Sequence, residues 1–291
     1  MSDSATLHKR FASAAFNTVN TAVSLLKIIA KSRKAPRLPN ASNTKCIVLG
    51  NGPSLRSTID GAPGHFKGCS FIAVNGFALS DDFLALKPQY YVLLDPGVWK
   101  AEQTWIDTML QAIVDKTHWP LHLMIPREAQ GSRRVQMLHA NAHINVHYLN
   151  YVVYKGWNGP GYFFWKKNLA MPQCQNVLVA ALFIAINLGY NEIELAGADH
   201  NWHESLAVDD HNVVCLKQVH FYDNGNEITY QPFYKTAATH ETFRMDEAFQ
   251  AWARVFHGYW KMRDYANFRG SHITNISSSS FVDAFERKKL F

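Results

Sequence analysis

The chain has 291 residues, of which 47% are hydrophobic, 18% charged and 13% aromatic. This composition excludes a disordered tail, a collagen-like fibre and a disulfide-stapled miniprotein. The formal net charge of +6 favours anionic partners such as nucleotides, phospholipids or acidic glycans, without choosing among them. The four cysteines lie far apart with no C-x-x-C spacing, which indicates free thiols in a reducing cytosol.

The first 40 residues differ in character from the rest of the chain. Apolar residues recur at helical spacing between Phe11 and Ala30. Residues 1–37 hold seven basic residues and one acidic residue, so this segment alone carries +6 and the remainder is close to neutral. Such a helix either lies in a membrane interface beside anionic lipid or packs on the core or a partner chain. We predict a basic amphipathic helix and linker over residues 1–40, with 5–37 as a candidate peripheral contact to the inner face of the cytoplasmic membrane.

Short apolar strands alternate with helices from residue 41 to 291. We predict strands at 45–50, 71–75, 90–95, 121–125, 192–197 and 272–276, and helices at 176–188, 245–265 and 280–289. This order favours a single Rossmann-like α/β domain, with a mostly parallel central sheet flanked by helices on both faces. The polar, histidine-rich stretch from about 199 to 239 has no strong periodicity, which is typical of a lid or a substrate-binding loop.

A glycine-rich turn, Gly50-Asn-Gly-Pro-Ser54, follows the first predicted strand. Ligands of α/β proteins bind beyond the carboxyl ends of the strands. Glycine lets the backbone approach a ligand closely, and Ser54 with its neighbouring amides suits a phosphate or a ribose hydroxyl. The turn is not the dinucleotide fingerprint, because Leu55 takes the third glycine position, and no Gly-Lys-Ser/Thr follows as in a P-loop. We therefore expect Gly50, Asn51, Gly52 and Ser54 to contact substrate.

Three segments, in order, resemble the bacterial lipooligosaccharide sialyltransferases of glycosyltransferase family 42. The segment Val48-Leu-Gly-Asn-Gly-Pro-Ser-Leu55 is similar to the opening motif of that family, and a related motif occurs in flagellin glycosyltransferase and 6-hydroxymethylpterin pyrophosphokinase-like domains. Val74-Asn-Gly-Phe77 resembles the family's Cys-Asn-Gln-Phe. The segment from Ala185 to Asp199 resembles its Ala-Leu-Gly-Tyr-Lys-Glu-Ile-Tyr-Leu-Ser-Gly-Ile-Asp. His240 precedes a predicted helix, as a histidine does in the family.

The resemblance implies a GT-A-variant fold and an inverting, metal-independent transfer of an acidic sugar from its CMP adduct to a glycan hydroxyl. The sugar would be a sialic acid-like nonulosonate or Kdo. By position, Asn51 would contact the donor near its phosphate or sugar, and Asn75 its nucleotide. Asp95-Pro96 replaces the family's Asn-Pro at a strand end. The remaining expected substrate contacts are Asn176 and Trp202.

Transfer needs a base for the acceptor hydroxyl and a group that stabilises the leaving phosphate. A histidine with a near-neutral pKa suits the first task, and the resemblance makes His240 the candidate base; the alternative is a surface histidine that caps a helix. For the second task the family uses two tyrosines shortly after the strand that ends, in this chain, at Asp199, but no tyrosine stands there. The candidates that remain are Tyr222, Tyr230, Tyr234, His200 and His203. We therefore predict His240, Asp199, His203 and Tyr234 as the catalytic residues.

Two further segments leave alternatives open. Asp199, His200 and His203 are also a plausible metal-binding set, although we favour a polar loop without metal. The absence of an Asp-x-Asp motif disfavours a UDP-sugar and Mn²⁺ mechanism. The aromatic, basic segment 156–167 either stacks on sugar rings or fills the core, and no nucleic-acid-binding module is recognisable.

We therefore predict a cytoplasmic glycosyltransferase that uses a CMP-sugar as donor, needs no cofactor and builds a surface glycan or glycolipid such as lipopolysaccharide or capsule. Two alternatives remain. One is a pterin pyrophosphokinase-like enzyme that requires ATP and Mg²⁺, and the other is a non-catalytic nucleotide-binding subunit of a glycan-assembly complex. Members of the resembled family often form tetramers, so a homo-oligomer stays open.

Overall fold

The chain folds around one large sheet. The computed structural model describes residues 2–34, 38–39, 41, 44–100, 103–218, 229–235 and 240–291. Residues 35–37, 219–228 (with Tyr222) and 236–239 of the predicted linker and lid lie outside the described residues. The strands are β1 Lys45–Leu49, β2 Ser70–Val74, β3 Tyr90–Val92, β4 Leu121–Pro126, β5 Ile144–Leu149, β6 Glu192–Ala196, β7 Leu206–Val208, β8 Val214–Gln218, β9 Thr229–Pro232, β10 His272–Asn275 and β11 Glu286–Arg287. The helices are α1 Ser2–Lys31, α2 Ser54–Gly61, α3 Asp82–Leu86, α4 Gly97–Lys100, α5 Thr104–Lys116, α6 Arg133–Leu138, α7 Asn158–Lys166, α8 Val177–Leu188 and α9 Met245–Arg269.

Eight parallel strands form the central sheet, in the order β11-β10-β6-β1-β2-β3-β4-β5. The chain moves outward from β1 to β5 and then returns to the other side of β1 with β6. The carboxyl ends of β1 and β6 therefore flank a topological switch point, where open α/β sheets bind ligands. The predicted α/β fold with a mostly parallel central sheet is confirmed.

Helices cover both faces of this sheet. On one face lies α8, whose twelve residues include ten buried ones because it is enclosed by the sheet and α9. On the other face α5 buries Ile106, Met109, Leu110 and Ile113, an apolar stripe at helical spacing. The helix predicted at 176–188 is confirmed as α8. The helix predicted at 245–265 is confirmed as α9, which continues to Arg269 and ends before Gly270 in the left-handed conformation.

The polar stretch after β6 contains a second, smaller sheet. Strands β7, β8 and β9 pair antiparallel within the described part of the predicted lid. Phe233, which follows β9, connects this segment to α9, since its ring stacks on Trp252 with centroids 6.0 Å apart. The segment therefore has regular structure that its sequence periodicity does not indicate.

The helix predicted at 280–289 is wrong. The chain is irregular from Ser280 and then enters β11, which pairs with β10. Burial of Val282 and Phe285 explains the difference, because the irregular chain lets both side chains reach the core, where the Phe285 ring packs against Tyr259. The Asn275 amide donates to Ser280 Oγ and to the carbonyl of Val282, which holds this conformation.

Candidate functional site

The glycine turn and the end of β6 are in direct backbone contact. The amide of Gly50 donates to the carbonyl of Ala196 (2.8 Å), and that of Gly52 to the carbonyl of Gly197 (3.0 Å). A Cβ on Gly50 would overlap the Gly197 carbonyl, and a Cβ on Gly52 would overlap the Asp199 carboxylate. Close approach is thus the physical reason for both glycines of the turn.

Asp199 joins the end of β6 to the start of α2. Its carboxylate accepts hydrogen bonds from the amide (3.1 Å) and the hydroxyl (2.8 Å) of Ser54, and both residues are buried. Burial raises the pKa of Asp199 above its ordinary value, while the two Ser54 bonds oppose that shift. The Ser54 donors that we expected to receive a phosphate are therefore directed at Asp199 in this structure.

Asn75 occupies a strained turn at the end of β2. Its φ of 47° lies in the left-handed region, which asparagine tolerates better than most residues. The buried phenol of Tyr91 holds the turn, since it donates to the Asn75 carbonyl and accepts from the Ala78 amide at 2.9 Å. The Oδ1 atom of Asn75 is buried and has no hydrogen-bond partner. Such an orphaned acceptor indicates a place for a ligand donor.

A cavity of about 450 Å³ opens beside Asn75, beyond the ends of β2 and β3. Its wall includes Asp95, whose carboxylate also accepts from the Gly97 amide at 2.8 Å. The first turn of α8 forms another side, where Asn176 caps the helix by accepting from the Leu178 amide at 2.6 Å. The positive end of the α8 dipole therefore borders the cavity and favours an anion. The other lining residues are Leu94, Pro96, Tyr151, Cys174, Gln175, Val177 and Ala180.

A second cavity, of about 440 Å³, shares a wall with the first. Tyr151, Cys174 and Gln175 line both. The second cavity is bounded by α1 and contains two cations, Lys27 and Lys155. We call these two adjoining cavities the groove: Asn75 and the α8 N-terminus border the first cavity, and Lys27 and Lys155 line the second.

The histidines that follow Asp199 point away from it. The His200 imidazole lies 2.5 Å from the hydroxyl of Tyr259 and stacks on Trp202, with ring centroids 4.4 Å apart. Burial lowers the pKa of His200 to about 4, so this ring is neutral at physiological pH. His203 instead packs edge-on against Phe281. Among the described residues, no three His, Cys, Asp or Glu side chains are grouped so that they would hold a metal ion.

His240 and Tyr234 lie together on the side of the small sheet. Their rings pack edge to face with centroids 5.0 Å apart, and Tyr234 forms a bridge with Thr242. Both side chains are exposed, and His240 has a left-handed φ of 49°. Neither residue lines either cavity. The structure therefore brings the two together, but not into the cavity that Asn75 and Asp95 line.

Tyr151 is a candidate site residue that no sequence motif indicates. It lies two residues after β5, an edge strand that was not predicted, and it lines both cavities. Burial raises the pKa of Tyr151, so its hydroxyl keeps its proton at neutral pH. The position beyond a strand end is the signal that would have identified it, had β5 been recognised.

Comparison with known proteins identifies the fold but no family. No protein-family model matches the chain, and no curated protein matches it. The structure is similar to that of MAf glycosyltransferase from Magnetospirillum magneticum AMB-1, with a TM-score of 0.51 at 13% sequence identity. The similarity covers 91% of this chain and 38% of the other. The chain therefore spans well under half of that protein, with which it shares a glycosyltransferase-like α/β fold.

Proposed function

We propose that this protein is a glycosyltransferase that binds a nucleotide-activated acidic sugar in the groove formed by the two cavities. The observation that carries the proposal is the buried, unpartnered Oδ1 of Asn75, a residue that lines the first cavity. The sugar would pass from its CMP adduct to a hydroxyl of a surface glycan or glycolipid, with inversion and without metal. The fold shared with a glycosyltransferase supports the general activity.

The first cavity suits the nucleotide. An acceptor atom such as Asn75 Oδ1 is matched by the exocyclic amino group of cytosine, which is a hydrogen-bond donor. The α8 N-terminus at the same cavity favours the single phosphate of a CMP ester through its partial positive charge. These two features lie at one cavity, as the base and phosphate of one nucleotide would require.

The second cavity suits the acidic sugar. Lys27 and Lys155 are its two cations, and a sugar carboxylate placed there would form charge-assisted hydrogen bonds. A sugar joined to the phosphate at the shared wall would extend in this direction. The anomeric carbon would then lie near Tyr151, which lines both cavities.

The chemistry divides between two groups. As the bond from the anomeric carbon to the phosphate oxygen breaks, the protonated Tyr151 hydroxyl would donate a hydrogen bond to the departing phosphate. The acceptor hydroxyl attacks the opposite face of that carbon and loses its proton to a base. We retain His240 as the proposed base. This role requires the segment that carries His240 and Tyr234 to move toward the groove when substrate binds.

Thermal-shift screening followed by turnover assays tests the proposal. CMP should stabilise the protein, and a CMP-linked acidic sugar should stabilise it further. Replacing Lys155 by Gln should raise the KM for that donor about tenfold, as loss of one charge-assisted hydrogen bond implies, and leave the Kd for CMP unchanged. Lys87→Gln is a matched control, since Lys87 lines neither cavity.

Two outcomes would overturn the assignment. Stabilisation by ATP with Mg²⁺ but not by CMP would favour the pyrophosphokinase alternative. Binding of CMP without turnover of any CMP-linked sugar would favour the non-catalytic subunit.

A further inference from the structure

The N-terminal helix α1 is attached to the domain through its polar side. Ser24 is buried, and its hydroxyl both donates to the carbonyl of Lys155 and accepts from the Lys155 amide, each at 2.9 Å. Thr21 Oγ1 accepts from the Trp157 amide at 3.0 Å and from the Tyr154 hydroxyl at 3.1 Å. Gly156 allows this approach, because a Cβ there would overlap Thr21. The polar residues that dilute the apolar pattern of α1 are thus the ones that fix it to the domain.

The apolar side of α1 faces away from the domain. With about 3.6 residues per turn, one continuous face opposite Ser24 carries six exposed large side chains. These residues are Phe11, Phe16, Val19, Val23, Leu26 and Ile29, which are between 42% and 78% exposed. Ile28, on the attached side, is the exception that joins the core. A folded protein rarely leaves an apolar strip of this kind without a partner.

Charge identifies the partner. Lys27 lies at one edge of this face, Lys31 is exposed in the last turn of α1 and Arg33 is exposed just beyond it, and residues 4–59 contain no acidic residue. Pairing with α1 of a second copy would place these cations against one another without a carboxylate to neutralise them. Trp157, 45% exposed, lies beside α1 and donates through Nε1 to Thr18 at 3.2 Å. Tryptophan and lysine at the edge of an apolar strip are typical of the interface of a bilayer.

We infer that the outward face of α1 binds to the surface of an anionic lipid bilayer, with its apolar side chains among the acyl chains and its cations at the head groups. No described helix is both long enough and apolar enough to cross a membrane. The α1 helix would therefore lie in the plane of the interface.

The second cavity opens on the flank of this helix. Asn20, Val23, Ser24 and Lys27 of α1 line it, so a bound bilayer would lie next to the proposed sugar subsite. On the proposed function, an acceptor that reaches the groove from this side is carried by a lipid. Binding to the bilayer itself does not depend on catalysis, so the two proposals are tested separately.

Vesicle co-sedimentation of the full chain tests the inference. The wild type should sediment with vesicles of phosphatidylcholine and phosphatidylglycerol, and much less with phosphatidylcholine alone. The double variant Leu26→Ser, Ile29→Ser should bind at least about tenfold more weakly, since each removes apolar surface from the interface. Lys31→Gln should weaken only the binding to anionic vesicles. Leu79→Ser and Leu84→Ser, at exposed positions distant in sequence from α1, are matched controls.

Unchanged sedimentation of the Leu26, Ile29 double variant would overturn the inference. The inference would also be overturned if the wild type formed dimers in solution and did not bind vesicles, while the Leu26, Ile29 double variant was monomeric. In that case the outward face of α1 would bind a second copy of the chain. CMP affinity should be equal in wild type and variant, which separates a defect in membrane binding from a failure of the proposed function.

Discussion

Removing the Asp199 carboxylate should destabilise the fold more than any other single side-chain truncation at the glycine turn. Asp199→Ala leaves the buried amide and hydroxyl of Ser54 without their acceptor. Each orphaned buried donor costs about 1–3 kcal/mol, so we expect a loss of about 2–6 kcal/mol in the free energy of unfolding. Asp199→Asn keeps an acceptor for the Ser54 amide and should cost much less.

Urea denaturation followed by circular dichroism measures this effect. Asp209→Ala is a matched control, because that exposed aspartate also accepts amide hydrogen bonds, from His211 and Val213, but holds only a surface loop. An Asp199→Ala variant no less stable than Asp209→Ala would refute the role of Asp199 in joining β6 to α2.

The same residue predicts a pH effect with a definite sign. The folded-state pKa of Asp199 lies above its ordinary value of 3.8, so the folded protein binds this proton more tightly than the unfolded chain does. Ionisation of the buried carboxylate therefore lowers the free energy of unfolding when the pH is above the folded-state pKa. The free energy of unfolding rises again as the pH falls through this pKa to below 3.8. Relative to Asp199→Asn, the wild type should gain stability on acidification; a change in the opposite direction would contradict the shift.

Three further predictions concern single residues. Burial lowers the pKa of His200 from 6.5 to about 4, so the free energy of unfolding should fall by about 3 kcal/mol as the pH drops from 6.5 to 4. In urea denaturation at a series of pH values, His200→Gln should abolish this pH dependence, and the control His203→Gln should retain it. Gly156→Val should lower the free energy of unfolding by about 1–3 kcal/mol, because Gly156 has a φ of 122° and a side chain there would overlap Thr21. Amide hydrogen exchange in α1 should become faster in this variant. The control Gly159→Ala should change neither quantity, because there is open space around Gly159. Tyr151→Phe should lower kcat about 10–100-fold with little change in KM, and an unchanged kcat would exclude it from stabilising the phosphate.

The central fold was predictable because its buried strands are short apolar runs. The segment around Ile47 and the segment around Ile72 give this signal directly, since parallel strands are covered on both faces. Strand β5 was missed because it lies at the sheet edge, where Asn145 is exposed and only the ends of the strand are buried. At Ser280–Lys289 the charged and apolar residues resembled an amphipathic helix, but pairing with β10 outweighed that preference.

The site was predictable only in part, because sequence patterns do not show which distant residues come into contact. Periodicity identifies the apolar face of a helix, but it does not show whether that face packs on the domain. The turn at Gly50 was identified from its position after a strand, and Asn75 from the resemblance of Val74-Asn-Gly-Phe77 to a family motif. The engagement of Ser54 by Asp199 depends on a contact between residues 145 positions apart, which no local pattern contains. The α1 helix was recognised, yet its attachment through Ser24 reverses the usual rule that the apolar side is buried.

Calorimetric titration of CMP into the wild type and the Asn75→Gly variant measures whether the first cavity binds the nucleotide through Asn75. Glycine accepts the φ of 47° at this turn, and the substitution removes the side chain that carries the orphaned Oδ1 acceptor. We expect the wild type to bind CMP, and Asn75→Gly to keep its thermal stability but to lose tenfold or more in affinity, as the loss of one buried hydrogen bond implies. Equal affinity for CMP in the two proteins, or no binding to the wild type, would contradict this expectation.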